Sequence, residues 1–196
     1  PFYAESGGQI GDIGFLTNHI GETIVEVKDT QKTEKPIYVH RGVVTGSSIK
    51  KGDKVGAVID ADRRLKIKCN HTTTHLLQSA LKRLVGDHCS QAGSFVGPDA
   101  LRFDFTHSEG LNPALLKKIQ EDVNKNILSD IPVRTEVMEL EEAKERGAIA
   151  PFGEKYGATV RVVEMGTDTE DQVSLEFCGG THLDRTGRAG RFRILS

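Results

Sequence analysis

Residues 70–86, Asn-His-Thr-Thr-Thr-His-Leu-Leu-Gln-Ser-Ala-Leu-Lys-Arg-Leu-Val-Gly, decide how this chain is read. Leu76, Leu77, Ala80, Leu81, Leu84 and Val85 recur at helical period, so the stretch predicts a helix with one apolar stripe. Asn70 is expected to cap it and Gly86 to stop it. His71 and His75 then fall four apart in the first turn and a half, on one face, where both imidazoles can reach one ion.

Working outward, the residues before Asp60 change in texture. Thr23–Val27, Pro36–Val39 and Val55–Ile59 are short alternating segments separated by turn signals such as Lys51-Gly52-Asp53, which predicts a small all-β unit. After the helix, Leu101, Phe103 and Phe105 alternate with Arg102 and Asp104 as a half-buried strand. This places Arg102 on the opposite face, available to a phosphate or an ion pair. Asn112-Pro113 starts a second helix, a cap followed by proline in the first turn, with Leu115, Leu116, Ile119, Val123 and Ile127 on its buried side. A short acidic helix is expected at Leu140–Arg146, closed by Gly147. Strands are expected near Thr159–Glu164, Val173–Phe177 and Phe192–Leu195. The fold class expected is α+β: a small β unit, a barrel or compact sheet, at 1–62, then a sheet covered by helices at 63–196.

Far from the helix stands Cys178-Gly179-Gly180-Thr181-His182. The strand before it would deliver Cys178, and the glycines would let His182 fold back beside the sulfur. Two imidazoles from a helix plus a thiolate and an imidazole from a turn make a tetrahedral Zn2+ site plausible. Thiolate and imidazole favour zinc over magnesium or calcium, which take oxygen ligands. Either motif alone is weak, and four protein ligands also suit a purely structural zinc. Cys69 is expected to point elsewhere. His19, His40, His88 and His107 lack partners at metal-like spacing and read as ordinary residues.

Composition bounds the rest. With 37% hydrophobic and 28% charged residues over 196 positions, the chain has enough apolar content for a packed core and is not a disordered polymer. No apolar run approaches the ~20 residues of a membrane span. Three cysteines are too few for a disulfide scaffold, so a reducing, cytoplasmic setting is expected. A net charge of −2 leaves RNA contact to local patches, Arg63, Arg64, Lys66 and Lys68 or Arg185, Arg188, Arg191 and Arg193. Taken alone, each patch reads as a solvated face. Because the first residue is Pro1, a piece of a longer protein is expected.

The run Asn70–Leu77 and the pentapeptide Cys178–His182 resemble the editing domain of alanyl-tRNA synthetase, of bacterial or organellar type. Pro1-Phe2-Tyr3-Ala4-Glu5-Ser6-Gly7-Gly8-Gln9, His88-Cys89-Ser90-Gln91-Ala92-Gly93-Ser94, Leu101–Phe105 and Phe152–Gly157 agree in order. Thr73, Cys89 and Ala150-Pro151 depart from the family's usual residues. The resemblance implies a small N-terminal β-barrel subdomain at 1–62 followed by a two-layer α/β unit at 63–196, and hydrolysis of Ser-tRNA(Ala) and Gly-tRNA(Ala), with His71, His75, Cys178 and His182 as zinc ligands. It implies Thr74 and Gln91 in catalysis, and Ser94 with the Gly7-Gly8 loop in substrate binding, where Arg102 is placed as well. The partners implied are the acceptor end of tRNA(Ala) carrying serine or glycine and the rest of the synthetase chain, with no membrane; an organelle would need a transit peptide on the parent. A threonyl-type editing domain and a non-catalytic tRNA-binding module with a structural zinc are the alternatives.

Selectivity has its own argument. Serine is alanine plus a hydroxyl, which an apolar activation pocket cannot strongly reject. A second site must favour that hydroxyl, and Thr74, beside His75, is placed to bond it, unless it bonds back to its own helix. The hydroxyl argument does not extend to glycine.

Overall fold

The computed structural model describes residues 1–35, 37–150, 156–166 and 172–195. Four antiparallel strands open the chain: β1 (Gly14–Thr17), β2 (Thr23–Lys32), β3 (Tyr38–Val44) and β4 (Gly56–Ile59), in the order β3-β2-β1-β4. The expected barrel is an open sheet instead, because β3 and β4 are its two outer strands and do not pair with each other among the described residues. Its core is Phe2, Ile24, Val25 and Val27, while Val43, Val44 and Val58 are exposed. So small an apolar interior covers one face of a sheet but does not fill a closed cylinder. Pro36, expected in β3, lies outside the described residues.

Helix α1 (Ala61–Leu84) follows directly. Its cap lies ten residues before the expected one, Asn70. Asp60 takes that role, its side chain accepting from the Arg63 backbone N–H at 2.9 Å. Asn70 therefore sits inside the helix, and its side-chain amide donates to the Gly97 carbonyl at 2.7 Å. The HxxxH pair belongs to the middle of a long helix and not to its first turn, and His71 through Gln78 are buried there as an unbroken run.

The hairpin β5 (Gln91–Val96) and β6 (Leu101–Phe105) comes next, then α2 (Pro113–Leu128), capped by Asn112 as expected. Strands β7 (Val133–Glu139), β8 (Thr159–Met165) and β9 (Ser174–Phe177) form an antiparallel sheet, with α3 (Leu140–Glu145) between β7 and β8 in sequence. Alternation along these strands feeds two cores. Val163 and Met165 pack with Leu76, Ala80, Ile119 and Val123 of α1 and α2. Val160, Val162, Leu175 and Phe177 pack with Met138 and Ala143 on the other side. The second unit is thus a mixture of helices and antiparallel sheet, as its sequence pattern predicts.

Phe192–Leu195, expected as a strand, is not one. The α2 side chains satisfy its backbone: the Phe192 N–H donates to Asn124 Oδ1 at 3.0 Å, and the Ile194 N–H donates to Gln120 Oε1 at 2.9 Å. Apolar alternation looks the same whether a segment joins a sheet or lies along a helix. No helix among the described residues is long and apolar enough to cross a membrane.

Candidate metal centre and its cavity

Helix α1 holds His71 and His75 on one buried face, with rings stacked at 5.5 Å between centroids. β9 ends at Phe177 and delivers Cys178 opposite them. The turn after Cys178 brings His182 back, so that Cys178 Sγ lies 3.4 Å from His71 Nε2 and 3.3 Å from His182 Nε2. The four ligand atoms all lie within 4.8 Å of one another. Two donors on one tetrahedral transition ion stand roughly 3.3–3.8 Å apart, given bonds of about 2.0–2.3 Å, so this spacing suits a common ion. His75 Nε2 and His182 Nδ1 are buried with no hydrogen-bond partner among the described residues. An unpartnered buried nitrogen costs about 1–3 kcal/mol, and a coordinated ion would satisfy His75 Nε2. The residues present therefore fit a metal.

The turn is built for close approach. A Cβ on Gly180 would overlap the His71 ring and crowd Gln9 Oε1, while the same atom on Gly179 would meet open space. Of the two glycines, Gly180 is the one the packing requires. Arg161 of β8 ties the turn down, donating through Nη1 to the Cys178 carbonyl at 2.7 Å and the Gly180 carbonyl at 2.8 Å.

Behind the ligands stands a second layer of hydrogen bonds. His75 Nδ1 lies 2.9 Å from Glu176 Oε2, and Glu176 accepts from Ser174 Oγ at 2.7 Å. Glu176 is buried because β9 alternates: Leu175 and Phe177 face the outer core, so Glu176 faces α1. His71 Nδ1 lies 2.7 Å from Gln9 Oε1, which also accepts from the Thr181 backbone N–H at 2.8 Å. These contacts assign a proton to each Nδ1 and turn each Nε2 toward the shared centre.

The electrostatics agree with the geometry. Burial pushes the Cys178 thiol up, but the charge of His71 and hydrogen bonds from His182 and His71 outweigh it and hold the thiol well below its ordinary value. Burial, reinforced by the charge of His71, lowers His182 to about 3 and keeps it a neutral donor. Burial alone would lower His75, yet the Glu176 carboxylate and Cys178 raise it to about 10. A metal binding there displaces that proton.

Beside the centre is a cavity of about 280 Å³. His71, His75 and Cys178 form one wall, and Thr74, Gln91, Ser94 and Gly7 line the others. Gln91 Nε2 donates to Ser94 Oγ at 2.9 Å. Thr74 Oγ1 donates back to the Asn70 carbonyl at 2.9 Å, which orients its lone pairs without using them. Gly8 lies behind the lining, at positive φ, and a Cβ there would collide with Ser94. Arg102 does not line this cavity. It is exposed, pairs with Asp104 at 3.1 Å, and borders a separate groove with Asn70 and Phe103.

The sequence pattern assigns no role to Gln9, Glu176, Arg161 or Tyr3, the last of which lines the cavity. Gln9 follows the Gly7-Gly8 pair, but its partner Thr181 is 172 positions away and leaves no local signal. A glutamate in an apolar strand, Glu176, was the one legible hint. Phe152–Lys155 and Pro151 fall outside the described residues.

Sequence comparison agrees with this architecture. A family described as "Threonyl and Alanyl tRNA synthetase second additional domain" matches residues 160–196, which include β9 and the Cys178–His182 turn. The family "tRNA synthetases class II (A)" matches residues 1–63. The chain is therefore similar at its start to class II tRNA synthetases and at its end to their additional domain. Alanine–tRNA ligases match the whole chain: those of Thermus thermophilus at 50% identity over 197 residues, Chloroflexus aurantiacus at 47% over 203 and Clostridioides difficile at 46% over 195. The chain belongs to the alanyl-tRNA synthetase family. It spans about a fifth of the length of these relatives, 22%, 22% and 21% respectively.

Proposed function

We propose that this chain is the proofreading part of an alanyl-tRNA synthetase, hydrolysing the ester of Ser-tRNA(Ala) and Gly-tRNA(Ala) in the cytoplasm or an organelle. The observation that carries the reading is the cavity itself: a metal-ligand cluster forms one wall, and the hydroxyl and amide groups of Thr74, Ser94 and Gln91 line the rest together with Tyr156, Val160, Arg161 and Phe177. The ion proposed is Zn2+, held by His71, His75, Cys178 and His182. When bound, zinc supplies a fixed positive charge beside the cavity.

The chain's own residues do the rest. In the reaction, water adds to the ester carbonyl, the bond to the ribose oxygen breaks, and that oxygen leaves as the hydroxyl carrying a proton. Gln91 and Ser94 offer an amide and a hydroxyl to position that water and the carbonyl. Thr74, its own proton committed to Asn70, accepts from the hydroxyl of a bound serine. Alanine cannot make this bond, and the polar group left unpaired costs about 1–3 kcal/mol. Thr74→Val is therefore expected to lower the ratio of seryl to alanyl ester hydrolysis about 5- to 100-fold; an unchanged ratio would remove Thr74 from selectivity. The tRNA acceptor end and the rest of the synthetase are the partners proposed.

The decisive experiment is deacylation of seryl-, glycyl- and alanyl-tRNA(Ala), with and without a chelator. Release of serine and glycine that stops on metal removal is expected. A chain that binds tRNA and leaves all three esters intact is a binding module with a structural metal.

A further inference from the structure

We propose that His88, Cys89 and His107 form a second binding site for a divalent transition-metal ion, at the open end of the β5–β6 hairpin. Nothing in the sequence spacing suggests it: Cys89 lies 18 positions from His107 and adjoins His88. The fold brings them together. His88 Nε2 lies 2.9 Å from His107 Nδ1, the two rings stack at 5.1 Å, and Cys89 Sγ lies 3.9 Å from His88 Nε2. One ligand atom from each residue falls within 4.8 Å of the other two.

These separations fit coordination. Two metal–nitrogen bonds span at most about 4.1 Å and a nitrogen–sulfur pair about 4.4 Å, so 2.9 and 3.9 Å are each within reach of one ion, and a small turn of the exposed His88 ring brings both toward the tetrahedral spacing. The two imidazole nitrogens face each other across a hydrogen bond, and an ion binding both would replace the proton between them and sit off the line that joins them. Three ligands of the His, His, Cys type suit zinc, cobalt or copper, not magnesium or calcium. They leave a fourth position, and His88 is exposed, so water would complete the shell.

The supporting backbone is already fixed. The Thr106 hydroxyl donates to the His88 carbonyl at 2.8 Å and accepts from the Ser90 N–H at 3.0 Å, and the Thr106 N–H donates to the Ser90 carbonyl at 2.9 Å. Cys89 is anchored by its N–H to the Gly86 carbonyl at 3.0 Å and is buried in the main core. An ion here would staple the two strand ends of the hairpin that carries Gln91 and Ser94 into the cavity. The proposal does not depend on the function of that cavity.

Metal per chain tests it, with Zn2+ as the probe retained against a moderate chelator and Co2+ as the spectroscopic reporter. The chain is expected to hold two equivalents of Zn2+, and His107→Ala and Cys89→Val one each. In the Co2+ form both variants are expected to lose a sulfur-to-metal absorption component. His107→Ala removes no core atom, so its fold is not at issue. Equal stoichiometry in the unmodified chain and His107→Ala would overturn the proposal. A single equivalent that His107→Ala loses and Cys178→Ala keeps would uphold it while defeating the four-ligand centre.

Discussion

At the four-ligand centre, three imidazoles and a thiolate are packed against helix and strand, and two of the imidazoles are held from behind by Glu176 and Gln9. At the hairpin, a similar set of donors has one buried member, Cys89, and an exposed His88 steadied by the ring of His107. The donor chemistry is nearly the same. What differs is how much of the geometry is paid in advance by the fold. In the first site, tautomer and ring orientation are fixed before any ion arrives; in the second, the backbone is fixed and the rings are not. Ligand identity thus sets which ions bind, and the outer hydrogen bonds set how tightly.

The sharpest way to break this contrast is Cys178→Ala. It should remove the inner metal equivalent and, on the proposed function, seryl ester hydrolysis with it; metal analysis and a deacylation assay read both. Next, Glu176→Gln keeps the shape and loses the carboxylate behind His75. Metal affinity should fall about 10- to 100-fold in a chelator competition, since outer-layer partners of ligating histidines are worth that much. A comparable loss from any single change around His88 would erase the distinction between the sites. Gly180→Ala should cost about 1–3 kcal/mol in denaturant unfolding, because its Cβ drives into the His71 ring, whereas Gly179→Ala meets open space and should cost far less. The smallest effect is expected at Arg102. Its pair with Asp104 is exposed, so Arg102→Ala should change stability by less than about 1 kcal/mol and leave cavity hydrolysis unchanged.

The inner site was largely legible because spacing carries it. His71 and His75 declare themselves by helical period, and Cys178 and His182 by a glycine turn. The partners behind them were not, since Gln9 meets His71 from 62 positions away and Thr181 from 172, and no local pattern records that. The start of α1 was misplaced because Asn70 and Asp60 are both good caps by type, and what decides between them is tertiary: Asn70 finds the Gly97 carbonyl and Asp60 finds the Arg63 N–H. The hairpin cluster was invisible for the same reason as Gln9. His88 and His107 are neighbours only because β5 and β6 pair, Gln91 opposite Phe105. The tail Phe192–Leu195 was misread because side chains of α2, not a strand, supply its hydrogen bonds.

Gln9 ties the leading segment to the ligand cluster from behind, while Tyr3, Ser6 and Gly7 of that segment line the cavity. A shortened protein beginning at α1 would retain every residue that touches the ion. It would still leave the His71 Nδ1 proton and the Thr181 amide facing solvent or nothing, and the ring free to rotate. Trimming the amino-terminal residues should therefore loosen the inner site more than the hairpin cluster, because the leading segment meets that hairpin only at its far end, where Val96 exchanges backbone bonds with Gly8 and Ile10.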